Sequence, residues 1–185
     1  MSKGTTSYRI GNQNALHFIT FSTVEWVDVF TRINYKEVLI DSFQYCQEHK
    51  GLELYSWCIM SNHVHFVGKA KEGFELSGIL RDFKRHTSKT ILELIKESGE
   101  SRKNWMLKVF KEAGESNSKN TTYQLWRNDN HPIEISTAQV IEQKINYIHE
   151  NPVEEGYVEN AEDYLYSSAR NYAEMQGKLK IEGID

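Results

Sequence analysis

Residues 52–60 and 63–69 are two runs of apolar, β-branched and aromatic residues separated only by Ser61-Asn62. So short a polar gap predicts a tight turn between antiparallel strands, and the stretch reads as a hairpin. Its second arm opens with His63-Val64-His65. Side chains alternate across a strand, so His63 and His65 project from one face with Cα atoms roughly 6.6 Å apart, from where two imidazoles can converge on one cation. Taken alone, this pair is a weak signal, because strand histidines also serve as half-exposed residues or as partners of buried carbonyls.

The hairpin fits a larger order. Residues 16–24 mix aromatic and β-branched side chains and predict a first strand. Residues 33–50 carry Val38, Leu39, Ser42, Phe43, Tyr45 and Cys46 at helical spacing, with Gly51 placed to end the helix. From Leu76 to about Ser98, the apolar residues Leu76, Ile79, Leu80, Phe83, Thr87, Ile91, Leu94 and Ile95 keep a helical period. A short helix is expected over 104–112, an exposed polar loop over 114–122 and a fourth strand over 123–127. Strand, helix, strand, strand, helix, strand is the order of the ferredoxin-like split βαβ arrangement, an α+β fold with an antiparallel sheet.

The last helix starts after Ser136, which with Gln139 forms a capping box, and buries Ile141, Ile145 and Ile148. Tyr147 and Asn151, four residues apart, share an edge of that helix at the boundary of its buried face. His149 falls on the opposite edge and reads as structural. Pro152 disfavours helical backbone at Asn151, so the helix is expected to end or kink there. The stretch 153–173, rich in Tyr and acids, reads as a tail wrapping the domain.

At 185 residues and 39% apolar content, the chain suits one domain, with a core over about 14–173 and a short tail over 174–185. No stretch is apolar enough for a membrane span or a secretory signal, which predicts a cytoplasmic protein. Cys46 and Cys58 form no Cys-x-x-Cys unit and read as buried reduced thiols. The net charge of −4 argues against nonspecific coating of nucleic acid. That average hides Arg81, Lys84, Arg85 and Lys89 beside a single acid, Asp82, and six acids without Lys or Arg between Glu150 and Asp163. A solvated helix face is the bland reading of the basic run, and a phosphate-facing helix the sharper one.

Three motifs in order, residues 60–65 (Met-Ser-Asn-His-Val-His), 147–153 (Tyr-Ile-His-Glu-Asn-Pro-Val) and 163–169 (Asp-Tyr-Leu-Tyr-Ser-Ser-Ala), resemble the REP-associated tyrosine transposases. These belong to the HUH single-strand endonucleases of the IS200-like superfamily, named for two histidines flanking a hydrophobic residue. The resemblance spans residues 16–172. It departs from the family pattern at Ser61, where many relatives have proline, and at Leu165-Tyr166, which replaces a common Pro-Trp.

The resemblance implies that His63, His65 and Asn151 bind a metal, Mg2+ or Mn2+, and that Tyr147 is the nucleophile. By donor type alone, the imidazole pair equally suits Zn2+. It also implies single-stranded or hairpin DNA as partner, a 5′-phosphotyrosine intermediate, and a monomer or homodimer. With it, phosphate contact becomes the better reading of Arg81, Lys84, Arg85 and Lys89, with Arg127, Trp126 and Trp105 as further DNA-contact candidates, although buried packing is at least as good a reading of the two tryptophans. The acidic tail would repel DNA and is expected to lie away from the site. Two other readings stand beside this one: a domesticated hairpin-binding protein that no longer cuts, and an unrelated His-x-His metalloenzyme.

Overall fold

The computed structural model describes residues 10–117, 122–128 and 132–184. Its elements are β1 (His17–Ser22), α1 (Ile33–His49), β2 (Leu52–Ile59), β3 (His63–Ala70), α2 (Leu76–Glu97), α3 (Lys103–Glu115), β4 (Ile133–Glu134), α4 (Ala138–Glu154) and α5 (Ala169–Tyr172). The strands pair antiparallel in the order β2-β3-β1-β4, which is the ferredoxin-like arrangement the sequence predicts. Gly51, at φ 71°, follows α1 as expected of a glycine that ends a helix.

Alternation along β1 and β3 sorts the side chains onto two faces. On one, Phe21 lies 5.5 Å from Phe66 and 5.8 Å from Phe83 of α2, and Phe43 of α1 lies 4.6 Å from Phe83. Burial of each such ring stabilises the fold by about 1.5–3 kcal/mol, so this aromatic layer fastens α1 and α2 to the sheet. Phe18, Thr20, His63 and His65 have the opposite parity. Their face is covered by α4, which packs across β2 and β3.

Four local expectations are corrected. The edge strand expected over 123–127 is reduced there to a bridge between Trp126 and Thr23, and the fourth strand is Ile133–Glu134 against Phe18 and His17. The two pieces are separated by a stretch, 128–132, whose Asn, Asp and Pro content disfavours strands. Next, Thr137, not Ser136, caps α4, its hydroxyl accepting from the Val140 amide at 3.3 Å. Ile135 still pairs with Leu16 (N to O, 2.9 Å), so the chain leaves the sheet edge too late for Ser136 to cap.

The helix also runs through Pro152 to Glu154. Its stop is a Schellman motif at Gly156 (φ 72°), in which the Tyr157 amide donates to the Pro152 carbonyl at 2.8 Å and the Gly156 amide to the Val153 carbonyl at 2.9 Å. Ile148, Asn151 and Pro152 are all buried, and that packing offsets the hydrogen bond the proline removes. Finally, Gly114 belongs to α3 and not to an exposed loop: a Cβ there would stand 2.8 Å from the Tyr123 amide nitrogen. Residues 118–121 of the expected loop lie outside the described residues.

The tail wraps as expected, and it covers a sheet edge. Beyond α4 it runs along the outer side of β2, where the Ile59 amide donates to the Tyr166 carbonyl and the Ser168 amide to the Trp57 carbonyl, each at 2.9 Å. His149 clamps this seam: its Nε2 lies 2.8 Å from the Ser168 hydroxyl and its ring 4.8 Å from Tyr172. Burial holds its pKa down, at about 4. Cys46 and Cys58 are buried free thiols. No helix among the described residues is long and apolar enough to cross a membrane.

Gly114→Ala is expected to lower stability by about 1–3 kcal/mol, read from the urea midpoint, because the obstacle is backbone. Acid should act in part through His149. Its pKa is depressed in the fold, so the unfolded chain takes up the proton first, and stability present above pH ~6.5 is lost as pH falls toward ~4. Between pH 7 and pH 5, His149 should account for about 2 kcal/mol of this loss. His149→Gln should shrink the pH dependence of unfolding by that amount, and an unchanged slope would count against the assignment.

Candidate active site

The two histidines open β3 opposite β1, with His63 paired to Ser22 and His65 to Thr20. Their rings lie 4.5 Å apart between centroids. His65 is buried and stacks on Phe18 at 5.6 Å, with its Nδ1 2.7 Å from the Thr20 hydroxyl. His63 Nδ1 donates to the Asn62 side-chain oxygen at 2.6 Å, and Asn62 in turn donates to the Trp26 carbonyl at 3.3 Å. Both rings are thus held through Nδ1, which leaves Nε2 of each for another partner.

α4 supplies the other half. Tyr147 is 44% exposed, and its ring lies 5.3 Å from that of His65 and 6.0 Å from that of Phe18. One turn on, Asn151 is buried, and its side chain acts on the His63 imidazole. Lys144, one turn before the tyrosine, places its ammonium 4.7 Å from the Phe18 ring centroid and 5.9 Å from that of Tyr147. The four residues that the motifs single out therefore meet within one chain, across the contact of α4 with the sheet.

The electrostatics favour neutral imidazoles. Burial lowers the pKa of His65 to about 3, with His63 and Lys144 adding to the shift. Burial also lowers that of His63, against the side chain of Asn151 and the charge of Glu155, which raise it. A neutral imidazole is the form that ligates a cation. The donor set of two oriented imidazoles and one amide, whose oxygen can turn toward an ion, fits a divalent metal. Among the described residues, no cluster of three His, Cys, Asp or Glu side chains could hold one.

The basic residues are distributed differently. Arg81, Arg85 and Lys89 are exposed on α2, under the opposite face of the sheet from the histidines, and Arg81 and Arg85 both contact Asp82, at 3.2 and 3.3 Å. Lys84 donates to the Arg127 carbonyl at 2.6 Å. Arg127 alone of the five reaches the site, its guanidinium 5.4 Å from the Trp26 ring, which lies 6.3 Å from His63. Trp126 is buried, with its indole nitrogen donating to the Thr87 hydroxyl, so it is no stacking surface; Trp105 is exposed. The acidic tail does not lie wholly away from the site, since its residues Glu155 and Tyr157 line a cleft beside His63.

Thr20, Asn62, Phe18 and Trp26 did not emerge from the sequence as site residues. A partial signal exists for two of them: Thr20 and Phe18 share the parity of the strand face that meets the histidines.

Residues 12–124 match the family model described as Transposase IS200 like, so the chain belongs to the IS200-like transposase family. The match includes both histidines and ends before α4. The structure of a REP-associated tyrosine transposase bound to a REP hairpin superposes with a TM-score of 0.65 at 15% identity, covering 100% of this chain and 94% of that one. A candidate transposase from Deinococcus radiodurans R1 gives a TM-score of 0.45 at 18% identity, over 80% of this chain and 98% of that one. No curated protein matches the sequence.

For a metal held by His63 and His65, Thr20→Val should weaken Mn2+ binding by about 10- to 100-fold, by freeing the His65 ring. Calorimetric titration of both proteins with Mn2+ checks this, and equal affinities would remove Thr20 from the site.

Proposed function

We propose that this IS200-like transposase nicks and rejoins single-stranded or hairpin DNA through a 5′-phosphotyrosine formed on Tyr147, with a divalent metal at His63, His65 and Asn151. The observation that carries this reading is the placement of the half-exposed Tyr147 ring 5.3 Å from His65 of the same chain. Bound Mg2+ or Mn2+ would neutralise charge on the scissile phosphate and on the departing oxygen. The remaining work falls to the chain itself.

Thr20 and Asn62 fix the imidazoles and α4 presents the tyrosine, so the reactants meet without further ordering of the protein. Attack of the Tyr147 oxygen on phosphorus forms the tyrosyl ester as the bond to the 3′-oxygen breaks, and the proton lost by tyrosine is matched by one gained at the new 3′-hydroxyl. The ester keeps the reactivity of the original diester. A second 3′-hydroxyl can therefore reverse the step and join a different strand without an outside energy source.

The tyrosine serves the histidines of its own chain, so one protomer holds a full set. Hairpin DNA is the favoured substrate because the similar solved structure was bound to one. An unpaired strand also presents its backbone to such a cleft more readily than duplex does. Of the five basic residues singled out in the sequence, Arg127 would lie nearest the scissile phosphate, while Lys84, Arg81, Arg85 and Lys89 would meet the more distant part of a hairpin that passes around the sheet edge; Lys144 on α4 stands closer to Tyr147 than any of them.

The test is a labelled single-stranded DNA hairpin incubated with protein and Mg2+ or Mn2+, run on a denaturing gel. Wild type should give a covalent protein–DNA adduct, Tyr147→Phe none, and His63→Ala or Asn151→Ala about a hundredfold less. An adduct undiminished in Tyr147→Phe would overturn the nucleophile. Hairpin binding with no adduct under either ion would favour a hairpin-binding protein that no longer cuts.

A further inference from the structure

The edge of α4 that faces the histidines carries Lys144, Tyr147, Asn151 and, where the helix ends, Glu155, each about a turn from the next. We infer that Lys144 is a further catalytic residue of the nicking step, its ammonium holding a non-bridging oxygen of the scissile phosphate as Tyr147 attacks. The inference rests on the DNA-nicking reading above and adds to it a protein cation on the tyrosine side of the phosphate.

Lys144 and Tyr147 leave α4 side by side, because residues three apart are neighbours on a helix surface. Both meet one ring: Phe18 lies 6.0 Å from the Tyr147 ring and 4.7 Å from the Lys144 ammonium, which is itself 5.9 Å from the centre of the Tyr147 ring. The charge reaches into the site, where it acts on His65. Arg127 approaches instead from the His63 end, over Trp26, and the exposed basic residues of α2 lie under the opposite face of the sheet. Lys144 is thus the cation placed beside the attacking oxygen.

Its ammonium also lacks a counter-charge. Lys50, Lys69, Lys108, Lys111 and Lys178 each lie 2.8–3.8 Å from a carboxylate. Among the described residues, Lys144 pairs with no carboxylate and donates to no acceptor, although it is half-buried. Its contacts are two aromatic rings, which attract a cation but leave its N–H donors unused. A phosphate oxygen supplies both the missing acceptor and the missing charge. Buried Phe18 keeps water from one side of the ammonium, which strengthens such a contact. At the far end of the same edge, Glu155 carries the opposite charge, so the edge favours a phosphate near Tyr147 over one near the helix end.

The bond changes are those of nicking. The tyrosyl oxygen bonds to phosphorus as the bond to the 3′-oxygen breaks, and the proton lost by tyrosine is matched at the new 3′-hydroxyl. Lys144 keeps its own protons and supplies charge and a hydrogen bond where negative charge gathers. Until a phosphate offsets it, the same charge opposes a metal ion at His65. A lysine that merely packed against Phe18 would not combine these two effects.

The test follows the rate of covalent adduct formation by the full chain, in excess over a labelled DNA hairpin, with Mg2+ or Mn2+. Lys144→Gln should slow the adduct about a hundredfold, while hairpin affinity measured without metal changes no more than about threefold. Lys144→Arg, which keeps the charge, should return to within about tenfold of wild type. In calorimetric titration without DNA, Lys144→Gln should bind Mn2+ about threefold more tightly, because a positive charge has left the site. An adduct rate undiminished in Lys144→Gln removes Lys144 and leaves nicking. Equal losses in Lys144→Gln and Lys144→Arg, a loss confined to hairpin affinity, or weaker Mn2+ binding in Lys144→Gln also overturn the inference. A wild type that forms no adduct under either ion overturns the nicking reading and the inference with it.

Discussion

β3 is hydrogen-bonded on both sides, and the rest of the structure depends on the register this sets. His65 stands opposite Thr20 of β1 and Cys58 of β2, so neither neighbour can slip alone. Because strand side chains have a period of two, a slip by one residue relative to the two faces would turn Val64 and Phe66 toward α4 and drive both histidines into the aromatic layer beneath α1 and α2. The apolar contacts of Phe66 with Phe21 and Phe43 oppose that exchange. The core on one face thus determines the chemistry on the other, and α4 needs only to cover what β3 presents.

Covering that face has an electrostatic consequence. α4 removes water from around His65 and His63, and burial is the largest cause of the lowered pKa of each. Lys144 on the same helix pushes His65 further in that direction. The packing that holds the tyrosine helix to the sheet therefore also keeps the imidazoles in the neutral state a cation needs. On the opposite edge of α4, His149 is neutral for the same reason but is spent on the Ser168 seam, so one edge of the helix fastens the tail and the other faces the strand histidines.

What could be read in the sequence divides along the same physical line. Periodicity revealed the sheet order, the α1 and α2 stripes and the sharing of one α4 edge by Tyr147 and Asn151, because these depend on side-chain direction repeated over many residues. Single-residue signals misled where a nearby alternative was stronger: Pro152 marked a helix end that Gly156 takes, and Ser136 a cap that Thr137 makes. For Trp126 the sequence left DNA stacking and buried packing open, and tertiary structure takes the second, against Phe21 and Phe30. The residues that orient the histidines were hidden for a different reason. Thr20 matters only because β1 pairs in one register, and Trp26 only because of a left-handed turn that no local composition announces.

The charge layout follows from where α4 ends. Had the helix stopped at Asn151, the acids after it would have turned away from β3 at once. One further turn, closed by Gly156, instead leaves Glu155 and Tyr157 at the mouth of the site. Only then does the tail swing to the outer edge of β2, where its amides and carbonyls pair with strand groups that would otherwise be open to another chain. The tail's remaining acids travel with it, and the basic side chains of α2 lie under the other face. The mouth of the site is thus bordered by Arg127 over Trp26 on one wall and Glu155 on another, an arrangement that draws a phosphate to one side and turns it from the other.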